Sequence, residues 1–500
     1  MQLENLTSDQ TRRVAIIGGG ISGLSAALAL SDRARESGRA VDITLLESGN
    51  RLGGVLRTER IGEYLVEHAA DMWITNKPEG VWLCERLGLS ERLIPTDAAF
   101  RKSLVLRNGR AYPIPEGFQL MVPEQAWPVL RSPVLSWRGK LRLMAELFVP
   151  ARRDGTDESL ASFVRRRFGR EAFERLVQPL VGGIYTADPE RLSLLATLPR
   201  FLEMERQHGS LILAAVRARR ERTLQANQHD SDQVGTSGAR YGLFVSLPNG
   251  IGELIDKLVA VVSSRVTIRL QTSVTSVRTA TERSRFEVAL SDGSTQAFDA
   301  VILAVPAFVA ASLLHDGACE LATLLGQIEY ASTVVVASGH KLVDIAHPLD
   351  AFGLVVPHAE RRNILATSFT SRKFPGRAPA GRVLLRTFVG GALQPELAKL
   401  DDAATTDLVR RELAEILGVR GEPDFVKVLR HSRAMPQYHV GHMELVSRIQ
   451  SAASRVPGLA LAGSFLSGVG IPDSIASGEA AANSVIRTCL TRQDGLCDDR

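Results

Sequence analysis

Gly18, Gly20 and Gly23 stand at Gly-x-Gly-x-x-Gly spacing in Gly18-Gly19-Gly20-Ile21-Ser22-Gly23, and an acid, Glu47, closes the next apolar run. These residue types at this spacing can hold a dinucleotide. The first glycine permits a tight turn, the second lets backbone approach a pyrophosphate, and the third lets a helix pack closely on a strand. The phosphates rest on free N–H groups at the helix start, and the Glu47 carboxylate can accept both hydroxyls of an adenosine ribose. A lone match of this kind is a weak signal. Here an apolar strand, Val14 to Ile17, precedes the turn, a small-residue helix follows, and a second strand, Val41 to Leu46, ends on the acid.

A second block, Arg51-Leu52-Gly53-Gly54-Val55, follows Glu47. A nicotinamide site needs no second glycine pair with an arginine carried toward the pyrophosphate; an extended flavin dinucleotide does. Glu-x3-Arg-x-Gly-Gly after the first turn resembles the flavin amine oxidase superfamily, which implies bound FAD. Far downstream, Gly463-Ser464 and Gly468-Val469-Gly470-Ile471-Pro472-Asp473 open another helix, with Pro472 suited to its first turn. The positive end of that helix would stabilise negative charge on the pyrimidine edge of a reduced flavin. That loop holds no cysteine, so the FAD is expected to be non-covalent. No second Gly-x-Gly-x-x-Gly marks an NAD(P)H domain, so electrons must come from the substrate.

The elements that must position these residues come in separated pieces. The expected class is α/β. A discontinuous Rossmann-type FAD-binding domain is drawn at 1–95, 241–310 and 451–490. Between its pieces lie a mainly helical, membrane-associating or channel-forming domain at 96–225 and an α+β substrate domain at 311–450. A hairpin is expected over Phe100 to Ile114 around Asn108-Gly109, and helices from Ser136, over Ser159 to Val181, and from Thr197 to Arg222. The polar stretch 226–240 reads as a flexible loop. Residues 330–450 read as alternating strand and helix. The helix from Ser136 carries Leu141, Met144 and Leu147 beside Trp127, Trp137 and several basic residues. It is either a core helix or one lying on a membrane surface.

Five hundred residues, 45% of them hydrophobic, can bury a core shared by two or three lobes. The net charge is +5, so basic character matters only where it is local: Arg152-Arg153, Arg165-Arg166-Arg167 and Arg217 to Arg222. Each run is a solvated helix face or a patch attracted to an anionic membrane. With 5% aromatic residues and no accompanying motif, nucleic acid is excluded. The four cysteines form no Cys-x-x-Cys pair, so no metal centre or redox dithiol is expected. Residues 1–11 lack the apolar core of a signal peptide, and no apolar run reaches the ~18 residues of a membrane span. The expected setting is a reducing, cytoplasmic one, soluble or peripheral at the inner face of the cell membrane.

Three further motifs sharpen the resemblance: Gln178-Pro179-Leu180-Val181-Gly182-Gly183-Ile184-Tyr185 with Leu192-Ser193, Met435-Pro436-Gln437-Tyr438-His439-Val440-Gly441-His442, and Gly468 to Asp473. With them, residues 12–490 look like an oxygen-dependent protoporphyrinogen or coproporphyrinogen oxidase. The resemblance implies six-electron oxidation of a porphyrinogen to a porphyrin in haem biosynthesis, with O2 reduced to H2O2. It implies FAD contacts at Gly18 to Gly23, Glu47, Arg51, Gly54, Val55, Val274, Ser464, Val469, Gly470 and Ile471, and along the strip Ala69, Ala70, Asp71 and Met72. Phe352, Val355 and Gly183 would face the macrocycle, and Arg101 or its neighbour Lys102 would hold a propionate. No dedicated acid or base is assigned. Similar proteins carry glycine and proline under the flavin; this chain has Ala69-Ala70-Asp71-Met72, which adds bulk and introduces an acid. A homodimer and contact with ferrochelatase or another haem-pathway enzyme are candidate assemblies. Two other readings stay open: a different amine oxidase or desaturase, and a weakly active FAD-binding scaffold.

Overall fold

The protein is described by a computed structural model covering residues 11–152, 154–226, 244–280 and 285–487. Apart from residue 226, the stretch expected as a loop at 226–240 lies outside these, as do Cys489 and Cys497.

Five parallel strands form the first sheet, in the order Thr267–Arg269, Val41–Leu46, Arg12–Ile17, Ala300–Leu303, Leu459–Leu461. Three distant stretches of chain therefore supply one sheet. The central strand is apolar on both faces because both are covered. Val14 and Ile16 enter one core with the helices Ile21–Glu36, Gly252–Ser263 and Ile471–Val485, and Ala15 and Ile17 enter another. The second core packs an antiparallel sheet of Val274–Thr279, Phe286–Leu290 and Thr295–Phe298. Helices Ile21–Glu36 and Ile471–Val485 meet at Gly478, where a Cβ would lie 2.1 Å from the Ser22 carbonyl oxygen.

A seven-stranded sheet runs Phe425–Pro436, Tyr330–Lys341, Arg382–Gly390, Ala366–Phe369, Gly353–Val355, Ser103–Arg107, Arg110–Pro113. This corrects two expectations. The hairpin falls where expected but belongs to this sheet, its Ser103–Val105 pairing in parallel with Gly353–Val355, so placing it in the helical domain at 96–225 separates strands that pair. Residues 330–436 are also mainly antiparallel strands, with one long helix at Asp402–Leu417, rather than an alternation. Antiparallel neighbours need only short turns, so no crossover helix is required. Strand Ser103–Arg107 joins two cores: Leu104 and Leu106 enter that of the sheet, and Val105 that of the helical lobe.

The helical lobe contains Trp137–Met144, Leu160–Phe168, Gln178–Tyr185, Pro199–His208 and Leu211–Ala226. Arg165, Arg217, Arg219 and Arg220 are exposed, but Arg166 and Arg167 form neither a solvated face nor a membrane patch. Arg167 is 0% exposed and ion-paired with Glu146 and Glu205, and Arg166 bridges Glu158 at 2.7 Å and Glu205 at 2.6 Å. The charges brace the lobe from within. Among the described residues, no helix is long and apolar enough to cross a membrane.

Candidate active site

The glycine turn has one open face. Gly18 has φ +104°, and a Cβ there would stand 2.4 Å from Ala304 O; one at Gly23 would stand 1.9 Å from Gly18 O. Packing of the protein itself demands both glycines. A Cβ on Gly20 meets nothing within 4 Å, so its missing side chain serves something outside the chain. Gly20 begins helix Ile21–Glu36 with no side-chain cap, leaving the first N–H groups and their positive dipole free to take an anion. Gly53 N–H donates to Gly19 O at 2.8 Å, and a Cβ on Gly54 would come 3.2 Å from Gly20 Cα. The two glycine blocks therefore touch and line one cradle. Val55, just after them, is exposed.

Glu47 is fixed at the edge of the cradle, its Oε2 accepting from Gly19 N–H (2.7 Å) and its Oε1 from Gly49 N–H (2.6 Å). Oε2 keeps a lone pair for a hydroxyl, while Oε1 also accepts from Ser48 Oγ at 3.4 Å. Thr272 N–H donates to Glu47 O and Gln271 N–H to Gly49 O, both at 2.9 Å, which brings the start of the Val274 strand beside the acid. Arg51 departs from expectation. Its guanidinium turns back on its own loop, donating to the carbonyls of Leu52 (2.6 Å), Leu56 (3.3 Å) and Gly54. It braces the Gly53-Gly54 turn rather than reaching out from it.

The closing loop leaves strand Leu459–Leu461 through Ala462 and Gly463 and enters helix Ile471–Val485 with Gly470 as its cap. Asp473 folds back on Gly470 N–H (3.3 Å) and pairs with Lys77 (2.5 Å). The helix start is thus partly offset by its own acid, while Val469 stays accessible and packs toward the helical lobe.

Ala69, Ala70 and Met72 are half-buried, and the Asp71 side chain is buried beneath them. Lys373 Nζ lies 2.6 Å from Asp71 Oδ2 and Arg386 Nη1 3.4 Å from it. Arg386 also donates to Ala69 O, and Ser246 Oγ donates to Asp71 O at 2.8 Å. Burial raises the Asp71 carboxyl pKa, but Lys373 and Arg386 outweigh it and hold the group below its ordinary range. The acid expected as an intrusion under the cofactor is therefore matched by two buried cations. Nearby Glu67 is fully buried, accepting from Thr58 Oγ1 (2.7 Å) and Ile251 N–H (2.8 Å), and burial pushes its carboxyl up.

The expected substrate residues divide. Val355 is accessible and faces the helical lobe, whereas Phe352 is 4% exposed and offers almost no surface. Gly183, in helix Gln178–Tyr185, faces open space. Arg101 spends Nε and Nη2 on Thr96 O (3.3 and 2.9 Å) and has no carboxylate partner among the described residues. Lys102 is paired with Asp350.

Sequence reasoning gave no role to Tyr438, Lys373 or Arg386. Tyr438 was visible only as part of a motif. Lys373 and Arg386 carried no local signal, because their partners lie some three hundred positions away.

An open glycine cradle, an acid fixed at its rim and an uncapped helix start fit the adenosine and pyrophosphate of FAD. The sequence matches the family described as flavin containing amine oxidoreductase over residues 21–486. It is 31% identical to the coproporphyrinogen III oxidase of Bacillus subtilis (strain 168), over 96% of this chain and 99% of that one. It is 28% identical to protoporphyrinogen oxidase 2, chloroplastic/mitochondrial, of Arabidopsis thaliana, over 95% and 94%. A solved structure from Exiguobacterium sp. 255-15 superposes with a TM-score of 0.81 at 29% identity, covering 96% of this chain and 99% of that one. The cofactor is a flavin, the FAD that the two glycine blocks imply, and the chain belongs to the flavin-containing amine oxidoreductase family.

Proposed function

We propose that this protein oxidises a porphyrinogen to the porphyrin in haem biosynthesis, and that the porphyrinogen is coproporphyrinogen III. The observation that carries the reading is its likeness to the Bacillus coproporphyrinogen III oxidase over nearly the whole length of both chains. The plant protoporphyrinogen oxidase is less similar.

When bound, FAD accepts two electrons at a time and passes them to O2, giving H2O2. The chain's own task is placement. Gly18 to Gly23 and Glu47 hold the adenosine and pyrophosphate, with Val55 and Val274 flanking them, while Arg51 keeps Gly54 against Gly20. Ala69 to Met72, Ser464 and Val469 to Ile471 border the flavin. Val355, Gly183 and Val469 offer an apolar wall that excludes water, and Arg101 holds a propionate through the part of its guanidinium not engaged by Thr96. Aromatisation supplies much of the driving force, and pyrrole protons can leave to solvent. Positioning therefore suffices without a dedicated base.

Trp127, Trp137, Leu141 and Phe148 project from the helical lobe, Trp137 being 69% and Phe148 86% exposed. Arg131 lies over Trp127 and, like Arg138, is exposed, whereas Lys140 is buried against Trp137 with its ammonium donating to Leu130 O at 2.7 Å. This basic, aromatic surface supports peripheral contact with the inner face of the cell membrane. A homodimer, and delivery of product to ferrochelatase or another haem-pathway enzyme, complete the proposal.

Purified holoprotein supplied with coproporphyrinogen III should generate porphyrin fluorescence above autoxidation and consume O2 with formation of H2O2. Under anaerobic conditions the same substrate should bleach the flavin. Faster turnover of protoporphyrinogen IX would overturn the substrate assignment, and no fluorescence gain with either would overturn the function.

A further inference from the structure

Tyr438, in the turn after strand Phe425–Pro436, reaches both ends of the closing loop. Its Oη donates to Ser464 O and accepts from Gly468 N–H at 2.8 Å. The residue is buried, and its ring stacks on His442 at 4.2 Å with an interplanar angle of 16°. The same residue is held from the other side by the helical lobe. Ser193 N–H donates to Tyr438 O at 2.7 Å, and Leu192 bridges His439. Asp157 accepts from Ser193 Oγ at 2.7 Å and from Gly441 N–H at 3.0 Å. One short turn is thus bonded by its backbone to the lobe and by a side chain to the loop. The hydroxyl is used as donor and acceptor together, which a phenyl ring cannot reproduce.

We propose that Tyr438 is a positioning residue that couples FAD binding to docking of the helical lobe. The loop from Ser464 to Gly468 keeps its cofactor-ready shape while Tyr438 is seated, and Tyr438 is seated while Ser193 and Asp157 hold its turn. Coupling between two binding equilibria is reciprocal, so bound FAD must in turn tighten the lobe. This rests on the reading that Ser464 and Val469 to Ile471 contact FAD.

The test compares wild type, Tyr438→Phe and Asp157→Asn. Apoprotein is titrated with FAD by quenching of flavin fluorescence, and hydrogen exchange is followed across residues 157–195 with and without FAD. Losing one or two buried hydrogen bonds should weaken FAD binding about tenfold in Tyr438→Phe. FAD should slow exchange across 157–195 in wild type and do so far less in Tyr438→Phe. Asp157→Asn, placed in the lobe, should weaken FAD binding in the same direction. Ser193→Ala, which loses the bond to Asp157 and the helix-capping bond from Ala196 N–H, supplies the same readout if Tyr438→Phe does not fold. Wild-type affinity in all folded variants, or unchanged protection of the lobe by FAD, would overturn the coupling while leaving the oxidase reading intact. Wild-type protein unable to bind FAD would instead overturn the oxidase reading itself.

Discussion

Replacing Lys373 by methionine should be among the costliest single changes this protein can suffer away from its cradle. Lys373 and Asp71 are both buried, 2.6 Å apart, and methionine retains most of the lysine stem while removing the charge. Stripping one partner from a buried ion pair costs about 3–5 kcal/mol, because the remaining charge has lost both water and counterion. Arg386, 3.4 Å from the same oxygen, still offers Asp71 a partner, so the lower end, about 3 kcal/mol, is expected. At about 2–4 °C per kcal/mol for a lobe of ordinary size, this becomes a fall of about 6–12 °C in the melting of the flavin-binding lobe, read by flavin release. Asp71→Asn should cost less. It leaves Lys373 unpaired, but burial already lowers the ammonium pKa, so that group can shed its proton. The double variant Asp71→Leu, Lys373→Met leaves the buried Arg386 without its carboxylate and should melt below Lys373→Met alone. If Lys373→Met melts within about 1 °C of the parent, or the double variant melts above Lys373→Met, the cluster does not hold the Ala69–Met72 strip and the reasoning fails.

Gly20→Ala should separate fold from cofactor: its Cβ enters empty space, so apoprotein melting should barely change, whereas FAD uptake measured by absorbance should be lost. His442 titrates at about 4 in the folded protein, chiefly through burial, against 6.5 as its ordinary value. The unfolded chain therefore binds more protons between these values, and stability is full above pH 6.5 and lost as pH falls toward 4. The loss amounts to about 3 kcal/mol, and denaturant midpoints between pH 7 and 4 should flatten in His442→Phe. Trp137→Ser with Phe148→Ser should weaken sedimentation with anionic vesicles while leaving turnover of soluble porphyrinogen unchanged; undiminished vesicle binding would remove this surface from the membrane assignment.

What was legible in the chain was what is local. Gly18 and Gly23 are demanded by atoms within the same strand–turn–helix unit or the strand beside it, and Glu47 sits at the end of the adjoining strand and bonds back to that turn, so their spacing carried the message. The strands of the parallel sheet were legible for a related reason: burial on both faces leaves nearly continuous apolar runs. Arg51 was placed but its direction was not, since nothing in its neighbours' identities says whether a guanidinium turns outward or onto its own loop. Arg166 and Arg167 read as surface because their carboxylates, Glu146, Glu158 and Glu205, come from separate segments. Lys373 and Arg386 were invisible for the same cause. The strands of the second sheet were misread because short apolar segments without a helix-length period look alike until their partners are known.

The parallel sheet also dictates an order of events during synthesis. Its central strand, near the start of the chain, waits for Ala300–Leu303 on one flank, and the outermost strand, Leu459–Leu461, is translated later still. Helix Ile471–Val485 then seats Gly478 against the carbonyl of Ser22. Until the ribosome has delivered that helix, the nascent polypeptide carries an unfinished sheet with greasy, unpaired edges, a state prone to misassociation. The coenzyme can be captured only once residues 459–485 have been made, so truncations upstream of residue 459 should yield colourless, insoluble material rather than a weakened enzyme.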